Sequence, residues 1–157
     1  MIRMSSKAAR HCAIYCDGGA RGNPGPAAAG AVIIADNGTV AAEISEYLGV
    51  ATNNVAEYRA LVLALKRALE LGFADADICL DSELIVKQLD GEYRVKDVKI
   101  VPLYQRATRL LSQFASFSVN HVRRGRNRRA DQLVNAALDA HRGAVRAPQP
   151  GEQESLL

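Results

Sequence analysis

The sequence lacks the features on which several classes of protein depend. No apolar run approaches the roughly 20 residues that a membrane helix needs, and no apolar stretch precedes the first charges, as it would in a secretory signal. Three cysteines are too few, and odd in number, for a disulfide framework, which favours a reduced, cytoplasmic location. Glycine and proline, at 12 and 5 residues, are too scarce for a fibrous or disordered chain. We therefore expect a globular protein with no membrane partner.

The length of 157 residues fits one compact domain without a separate binding module. We expect a monomer whose folded region covers 11–141, with an N-terminal tail at 1–10. Residues 142–157 are rich in Pro, Gln, Glu and Ala without periodicity, which predicts a disordered C-terminal tail.

Charge is nearly balanced, with 20 basic and 17 acidic residues, but it is not evenly distributed. Five arginines and no acid lie between His121 and Arg129. Such a run is either a solvated basic loop or a surface that contacts phosphates. The run alone does not decide between the two.

The periodicity of apolar residues predicts an α/β fold. The predicted order is three strands, a helix, a strand, two helices, a strand and a final helix, which is a mixed five-stranded sheet flanked by helices. Crossover connections make the first, fourth and fifth strands parallel. The predicted strands are Cys12–Cys16, Ala29–Ala35, Thr39–Leu48, Ala76–Leu80 and Phe117–Val122, and the predicted helices run from Asn54 to Leu71, from Ser82 to Leu89, from Pro102, and from Ala130 to His141.

Four acidic residues fall at the ends of these predicted elements. Asp17 follows the first strand and Asp81 the fourth, where ligands gather at the carboxyl ends of parallel strands. Each acid also has a local explanation. Asp81 suits a turn or a helix cap, Glu57 a capping box with Asn54, and Asp131 the dipole of the last helix.

The chemistry of four neighbouring carboxylates favours a metal site. They would repel one another and raise each other's pKa unless cations neutralised them. Oxygen ligands without His or Cys favour a hard ion such as Mg²⁺ or Mn²⁺. Two such ions, roughly 3.5–4 Å apart, can activate a water and stabilise the leaving oxygen in phosphodiester cleavage.

Four motifs, in order along the chain, resemble type 1 ribonuclease H over about residues 12–140. The segment after Asp90, followed by Val101-Pro-Leu-Tyr, is similar to the compact, archaeal-like branch of that family, which lacks a basic protrusion. The four motifs are the glycine loop Tyr15-Cys-Asp-Gly-Gly-Ala-Arg-Gly-Asn-Pro-Gly, Thr52-Asn-Asn-Val-Ala-Glu, Leu80-Asp-Ser and Asn127-Arg-Arg-Ala-Asp-Gln-Leu-Val-Asn.

The resemblance implies an endonuclease that cuts the RNA strand of an RNA–DNA hybrid, leaving 5′-phosphate and 3′-hydroxyl ends. It implies two Mg²⁺ ions, with Mn²⁺ as a substitute. Asp17 would contact both ions, Glu57 and Asp81 would hold the ion beside the attacking water, and Asp131 would hold the other. Double-stranded RNA is a second candidate substrate.

The resemblance also implies substrate contacts in the glycine loop. Gly18, Gly19 and Asn23 would face the 2′-hydroxyl groups that distinguish RNA from DNA. The loop is unlike a dinucleotide or phosphate-binding loop because it contains prolines, has no Gly-Lys pair and leads into a strand.

Further contacts are implied for the asparagine motifs. Thr52 and Asn127 would hold a phosphate of the DNA strand, and Asn53 and Asn54 would reach the minor groove. Turn and cap formation is the alternative explanation for the two asparagines after Thr52.

The sequence departs from the family pattern at several positions. Glu83 replaces a glutamine that contacts the RNA, and Val50 stands where some relatives have an arginine in the phosphate pocket. No histidine matches the mobile catalytic histidine of long-loop members, and His121 is interpreted as a packing or strand-end residue. Arg124 matches an arginine of the compact branch that would contact the scissile phosphate or assist product release.

Two other functions remain open at this stage. A non-catalytic module that binds hybrids or double-stranded RNA would also use the arginine run, but it would not need all four acids. Another nuclease on the same fold would not need a loop that reads 2′-hydroxyl groups.

Overall fold

The computed structural model describes residues 10–146 of the chain and has the predicted order of elements. A short 3₁₀ turn at Arg124–Arg126 precedes the last helix. The strands are β1 His11–Ala20, β2 Gly25–Ala35, β3 Val40–Ala51, β4 Asp75–Leu80 and β5 Ser116–His121, and the helices are α1 Asn53–Glu70, α2 Glu83–Leu89, α3 Val101–Leu111 and α4 Arg128–Arg146.

The five strands form one mixed sheet in the order β3-β2-β1-β4-β5. β1 and β3 pair antiparallel with β2, whereas β4 pairs parallel with both β1 and β5. The predicted fold class and the predicted parallel strands are therefore confirmed. In the parallel register Cys16 lies opposite Leu80, so the residues that follow them emerge side by side at the carboxyl edge of the sheet.

Helices cover both faces of the sheet. Alternate residues of β1, namely Cys12, Ile14 and Cys16, are buried in the main core together with the apolar sides of α1 and α3. On the other face, Val134 and Leu138 of α4 form a smaller cluster against Ala28 of β2. The sheet therefore separates α1 from α4, and both helices begin near its carboxyl edge.

The hairpin between β2 and β3 forms at the predicted Asn37-Gly38 turn. Gly38 has φ +85°, a backbone conformation that suits glycine. The side-chain oxygen of Asn37 accepts hydrogen bonds from the backbone N–H and the hydroxyl group of Thr39. β2 begins at Gly25 instead of Ala29, and β3 runs from Val40 to Ala51 instead of from Thr39 to Leu48. The added residues include Gly25, Pro26 and Gly49, which carry little strand signal.

The boundaries of the folded region differ from the prediction at both ends. Arg10, assigned to the N-terminal tail, belongs to the fold, since its guanidinium donates to the carbonyl of Leu71 at 2.6 Å and lies over the ring of Phe73. Helix α4 continues past His141 to Arg146, so the prediction of a tail from 142 was wrong for 142–146. Residues 142–144 are exposed, so this extension of the helix carries no apolar periodicity there. The rest of the two predicted tails, 1–9 and 147–157, lies outside the described residues. Within the described part of the chain, no helix is long and apolar enough to cross a membrane.

Candidate active site

Three acidic side chains from three different elements meet at the carboxyl edge of the sheet. Asp17 comes from β1, Asp81 follows β4, and Glu57 lies in the second turn of α1. Carboxylate oxygens of these residues lie within 4.8 Å of one another. The parallel register of β1 and β4 brings the two aspartates together, and α1 adds the glutamate from one face.

The local structure removes the helix-cap explanations for two of these acids. The N-cap of α1 is Thr52, whose hydroxyl accepts from the N–H of Val55 at 3.2 Å, so the capping box of Asn54 with Glu57 does not form. The N-cap of α2 is Ser82 rather than Asp81. Both carboxylates are therefore available to the cluster instead of being used as helix caps.

Asp131 completes the site from the opposite face of the sheet. It lies in the first turn of α4, as the dipole explanation requires, but it also lines the same cavity as the other three acids. Its charge contributes to the raised pKa of Asp17, and it is not part of the three-carboxylate group. The cavity has a volume of about 400 Å³, and Arg124, Gly18 and Gly19 also line it.

The carboxylates are crowded and partly shielded from water. Burial, followed by the charges of Asp81 and Asp131, raises the pKa of Asp17 to about 7. Burial, followed by the charges of Asp17 and Asp81, raises the pKa of Glu57 to about 7, while a hydrogen bond with Ser82 and the charge of Arg124 oppose this shift. A group of carboxylates that resists full ionisation, with oxygen atoms as its only donors, fits a hard divalent cation.

The glycine loop is fixed to the start of α1 by two asparagines. The side-chain oxygen of Asn53 accepts from the N–H of Ala20 at 2.8 Å. The side-chain oxygen of Asn23 accepts from the N–H of Asn53 at 3.0 Å. Asn54 is exposed beside them. Neither asparagine caps α1, because the cap is Thr52, and Asn53 instead holds the glycine loop beside the carboxylates.

Asn127 is not on the surface. Its side chain is 1% exposed, and its amide donates to the carbonyl of Cys16 at 2.9 Å and to Asp81 at 3.3 Å. The contact with a DNA phosphate that the resemblance implied for Asn127 does not fit this position, because its amide faces protein acceptors. The sequence carries no signal for the difference, since asparagine occurs in both settings.

The five arginines of the basic run are all exposed, but they do not form one surface. Arg124 lines the cavity with the carboxylates. Arg126 lines a smaller cavity beside Tyr15. Arg129 turns towards β3, where its guanidinium donates two hydrogen bonds to Glu43 at 2.7 and 2.9 Å. Arg124 therefore belongs to the cavity of the carboxylates, whereas Arg129 is bound to the sheet.

Comparisons with known proteins agree with this geometry. The family described as reverse transcriptase-like matches residues 15–137. A bifunctional protein of Mycobacterium tuberculosis is 48% identical over 128 residues, which cover 81% of this chain and 35% of that protein. A crystal structure of RNase H1 from Halobacterium salinarum has a TM-score of 0.81 and 45% identity, covering 83% of this chain and 98% of that one. The chain belongs to the type 1 ribonuclease H family.

The ribonuclease H relatives differ in length from this chain. This chain spans 35% of the length of the mycobacterial protein. It spans 63% of the length of the ribonuclease HI of Halobacterium salinarum, to which it is 46% identical over 125 residues. An RNase H1 crystallised in complex with an RNA/DNA hybrid has a TM-score of 0.78 and 40% identity, covering 83% of this chain and 98% of that one.

The residues at which this chain departs from the ribonuclease H pattern lie on the surface. Glu83 is exposed and pairs with Lys87 of the same helix at 3.0 Å, which keeps its charge on the outside of α2. Val50 is 72% exposed near the end of β3. His121 is the last residue of β5 and is exposed, so the strand-end interpretation holds and the packing interpretation does not.

Asn135 and Arg21 also line the cavity of the ribonuclease H site, and the sequence motifs assign neither of them a role there. Asn135 lies one helical turn after Asp131 and donates to its carbonyl at 3.2 Å and its carboxylate at 3.4 Å. Arg21 contacts Asn135 and forms an ion pair with Asp139 at 2.8 Å. The four-residue spacing of Asp131, Asn135 and Asp139 on one helix face is the sequence signal that indicates this group.

Proposed function

We propose that this chain is an endonuclease that hydrolyses the RNA strand of RNA–DNA hybrids. The observation that carries the proposal is the meeting of Asp17, Glu57 and Asp81 in one cavity with Asp131. Membership of the type 1 ribonuclease H family supports it, as does the related RNase H1 crystallised with an RNA/DNA hybrid. The products carry 5′-phosphate and 3′-hydroxyl ends.

The carboxylates would hold two Mg²⁺ ions, or Mn²⁺ in their place. Asp17 would contact both ions, Glu57 and Asp81 would hold one of them, and Asp131 would hold the other. Bound cations of this kind supply a reactive water and stabilise the charge of the leaving oxygen. The chain itself contributes a fixed set of oxygen ligands, held by a sheet edge and two helix starts, so little rearrangement is needed when the cations bind.

Substrate positioning falls to residues around the rim of the cavity. Gly18, Gly19 and Asn23 face the 2′-hydroxyl groups of the RNA strand, which the close attachment of the glycine loop to α1 supports. Arg124 lies near enough to Glu57 to lower its pKa, and its exposed guanidinium suits a contact with the scissile phosphate.

The DNA strand would lie beyond the N-terminus of α1. Thr52 and Asn54 are placed at this end of the helix, and Asn54 is exposed there. Asn53 contributes by orienting the loop as well as by facing the minor groove. Thr52 uses its hydroxyl as an acceptor for the helix, which leaves the hydroxyl proton free to bond a phosphate oxygen.

The test is cleavage of a labelled hybrid by wild type and by Asp17→Asn in Mg²⁺ and in Mn²⁺. We expect the variant to lose cleavage and to keep hybrid binding, because one ligand of the cations is lost while the rim is unchanged. Asp36→Asn is the matched control, since it removes the same charge outside the cavity. Cleavage by Asp17→Asn at the wild-type rate would overturn the proposal.

The same assay separates the other functions. A wild type that binds the hybrid but leaves it uncut in both ions would indicate a non-catalytic binding module. Cleavage of duplex DNA in preference to hybrid would indicate another nuclease on this fold, and a parallel double-stranded RNA substrate tests the second candidate substrate.

A monomeric, cytoplasmic protein is part of this proposal. Cys12, Cys16 and Cys79 are free and buried, which suits a reducing compartment. Light scattering of the purified chain tests the monomer, and a dimer at micromolar concentration would contradict it.

A further inference from the structure

The buried side chain of Asn127 contacts several segments that carry the catalytic acids. Its amide nitrogen donates to the carbonyl of Cys16, the residue before Asp17, and to the carboxylate of Asp81. Its backbone carbonyl accepts from the N–H of Asp131 at 3.1 Å. One residue therefore connects β1, the end of β4 and the start of α4.

The orientation of the Asn127 amide is set by its partners. A carbonyl and a carboxylate both accept hydrogen bonds, so only the NH₂ group can face them. The side-chain oxygen is consequently turned away, and within residues 10–146 it is buried without a hydrogen-bond partner. An unpartnered buried acceptor costs free energy, whereas an apolar side chain of similar size would fill the same space without that cost.

Helix α4 is also attached to the sheet by contacts that do not involve Asn127. The hydroxyl of Ser45 in β3 donates to the carbonyl of Leu133 at 2.7 Å, and Arg129 pairs with Glu43. Gly30 also lets β2 approach α4 closely, because a Cβ there would lie 2.9 Å from the N–H of Val134. None of these contacts touches a carboxylate of the site.

We propose that Asn127 is a positioning residue that fixes the carboxylate of Asp81 and the spacing of Asp17 and Asp131 before a cation binds. The inference rests on the proposed cation site. A ligating carboxylate whose second oxygen is held by a hydrogen bond presents its first oxygen in a fixed direction, and loss of such a partner commonly weakens metal binding by about 10- to 100-fold.

The test is calorimetric titration with Mn²⁺ alone, without nucleic acid, of wild type, Asn127→Ala and Ser45→Ala. We expect Asn127→Ala to bind Mn²⁺ at least about 10-fold more weakly than wild type. Ser45→Ala removes another side-chain contact of α4, one that does not touch a carboxylate, and it should bind Mn²⁺ as wild type does. Equal Mn²⁺ affinity of Asn127→Ala and wild type would overturn the role of Asn127. No binding by wild type would overturn the cation site as well.

A measurement on the wild type covers the case in which Asn127→Ala does not fold. The side-chain NH₂ resonances of Asn127 should shift as Mg²⁺ is added, because the carboxylate that accepts their hydrogen bond would then also hold a cation. The side-chain NH₂ resonances of Asn37, in the distant hairpin turn, are the control and should not shift. Unchanged Asn127 resonances at saturating Mg²⁺ would overturn the proposal.

Discussion

Gly18 and Ala56 are in direct backbone contact. A Cβ atom on Gly18 would overlap the carbonyl group of Ala56 and the N–H of Glu57, so only glycine fits at this position of β1. The contact sets the first turns of α1 against the strand that carries Asp17. It therefore determines how far the carboxylate of Glu57 lies from the carboxylate of Asp17.

We expect Gly18→Ala to destabilise the fold and to inactivate the site. Overpacking at a closed backbone contact costs roughly 1–3 kcal/mol. A displacement of about 1 Å between groups that act together can reduce the rate about 100-fold. Hybrid cleavage and thermal unfolding of the purified variant measure both effects.

The neighbouring glycine is the control for this substitution. A Cβ on Gly19 would meet the side chain of Val134 at 3.7 Å, which is an ordinary contact. Gly19→Ala should therefore keep the unfolding temperature of the wild type. If Gly18→Ala is as stable as Gly19→Ala and cleaves the hybrid at the wild-type rate, the contact with Ala56 does not position the helix.

The raised pKa values of Asp17 and Glu57 predict how stability depends on pH. The folded protein binds these protons more tightly than the unfolded chain, since both pKa values rise from 3.8 and 4.5 to about 7. Their contribution to stability is therefore complete below about pH 4 and is lost as pH rises through about 7. In EDTA, the unfolding temperature should fall between pH 5 and pH 8 by roughly 10 °C.

Divalent cations should reverse this loss. Mg²⁺ competes with protons for the same oxygens, so it should raise the unfolding temperature more at pH 8 than at pH 5. Glu57→Gln removes one of the two titrating groups and should reduce the fall seen in EDTA while abolishing cleavage. An unfolding temperature that does not respond to Mg²⁺ at pH 8 would contradict the cation site.

His11 provides a pH effect of a different origin at the other edge of the sheet. Its pKa is raised, first by a hydrogen bond to Asp75 at 2.8 Å and then by the charges of Asp77, Asp75 and Asp36. A raised pKa means that this contribution is present at acidic pH and is lost as pH rises through it. His11→Ala should therefore lose more stability at pH 5.5 than at pH 8, with a difference of at most about 1 kcal/mol for a partly exposed ion pair. Chemical denaturation at both pH values measures the difference, and an equal loss would contradict it.

The arginine run predicts how hybrid binding depends on salt. Replacing Arg123, Arg126 and Arg128 with glutamine should weaken binding at moderate salt. If all three contact phosphates, the slope of log affinity against log salt should become less steep by about 2–3. Arg129→Gln is the control, because that guanidinium is bound to Glu43. An unchanged slope in the triple variant would show that these arginines face away from the substrate.

Sequence patterns predict the carboxyl edge of the sheet well because the rules that govern it are local. Asp17 and Asp81 come directly after apolar strand residues, and crossover connections make those strands parallel. Their meeting follows from these two facts. Glu57 was harder to assign, since the same spacing fits a capping box. In the structure the cap is Thr52, and the next residue, Asn53, is in contact with the glycine loop.

Other features depend on tertiary contacts that single residues do not reveal. An asparagine before a helix suits a cap or a surface contact, and only the packing of α4 against β1 and β4 shows that Asn127 is buried. Likewise, the arginine run reads as one basic patch in sequence. In the fold these arginines are separated, because Arg129 is hydrogen-bonded to Glu43 of β3, a strand far away in the sequence.

Helix α4 carries Asp131 and follows all five strands in the described chain. During synthesis, a ribosome that has released the chain only as far as β5 has delivered three of the four carboxylates, and the helix that supplies the fourth and covers one face of the sheet has still to emerge. Incomplete translation products therefore lack the complete set of acids, and nuclease activity should begin only when synthesis of the domain is almost finished.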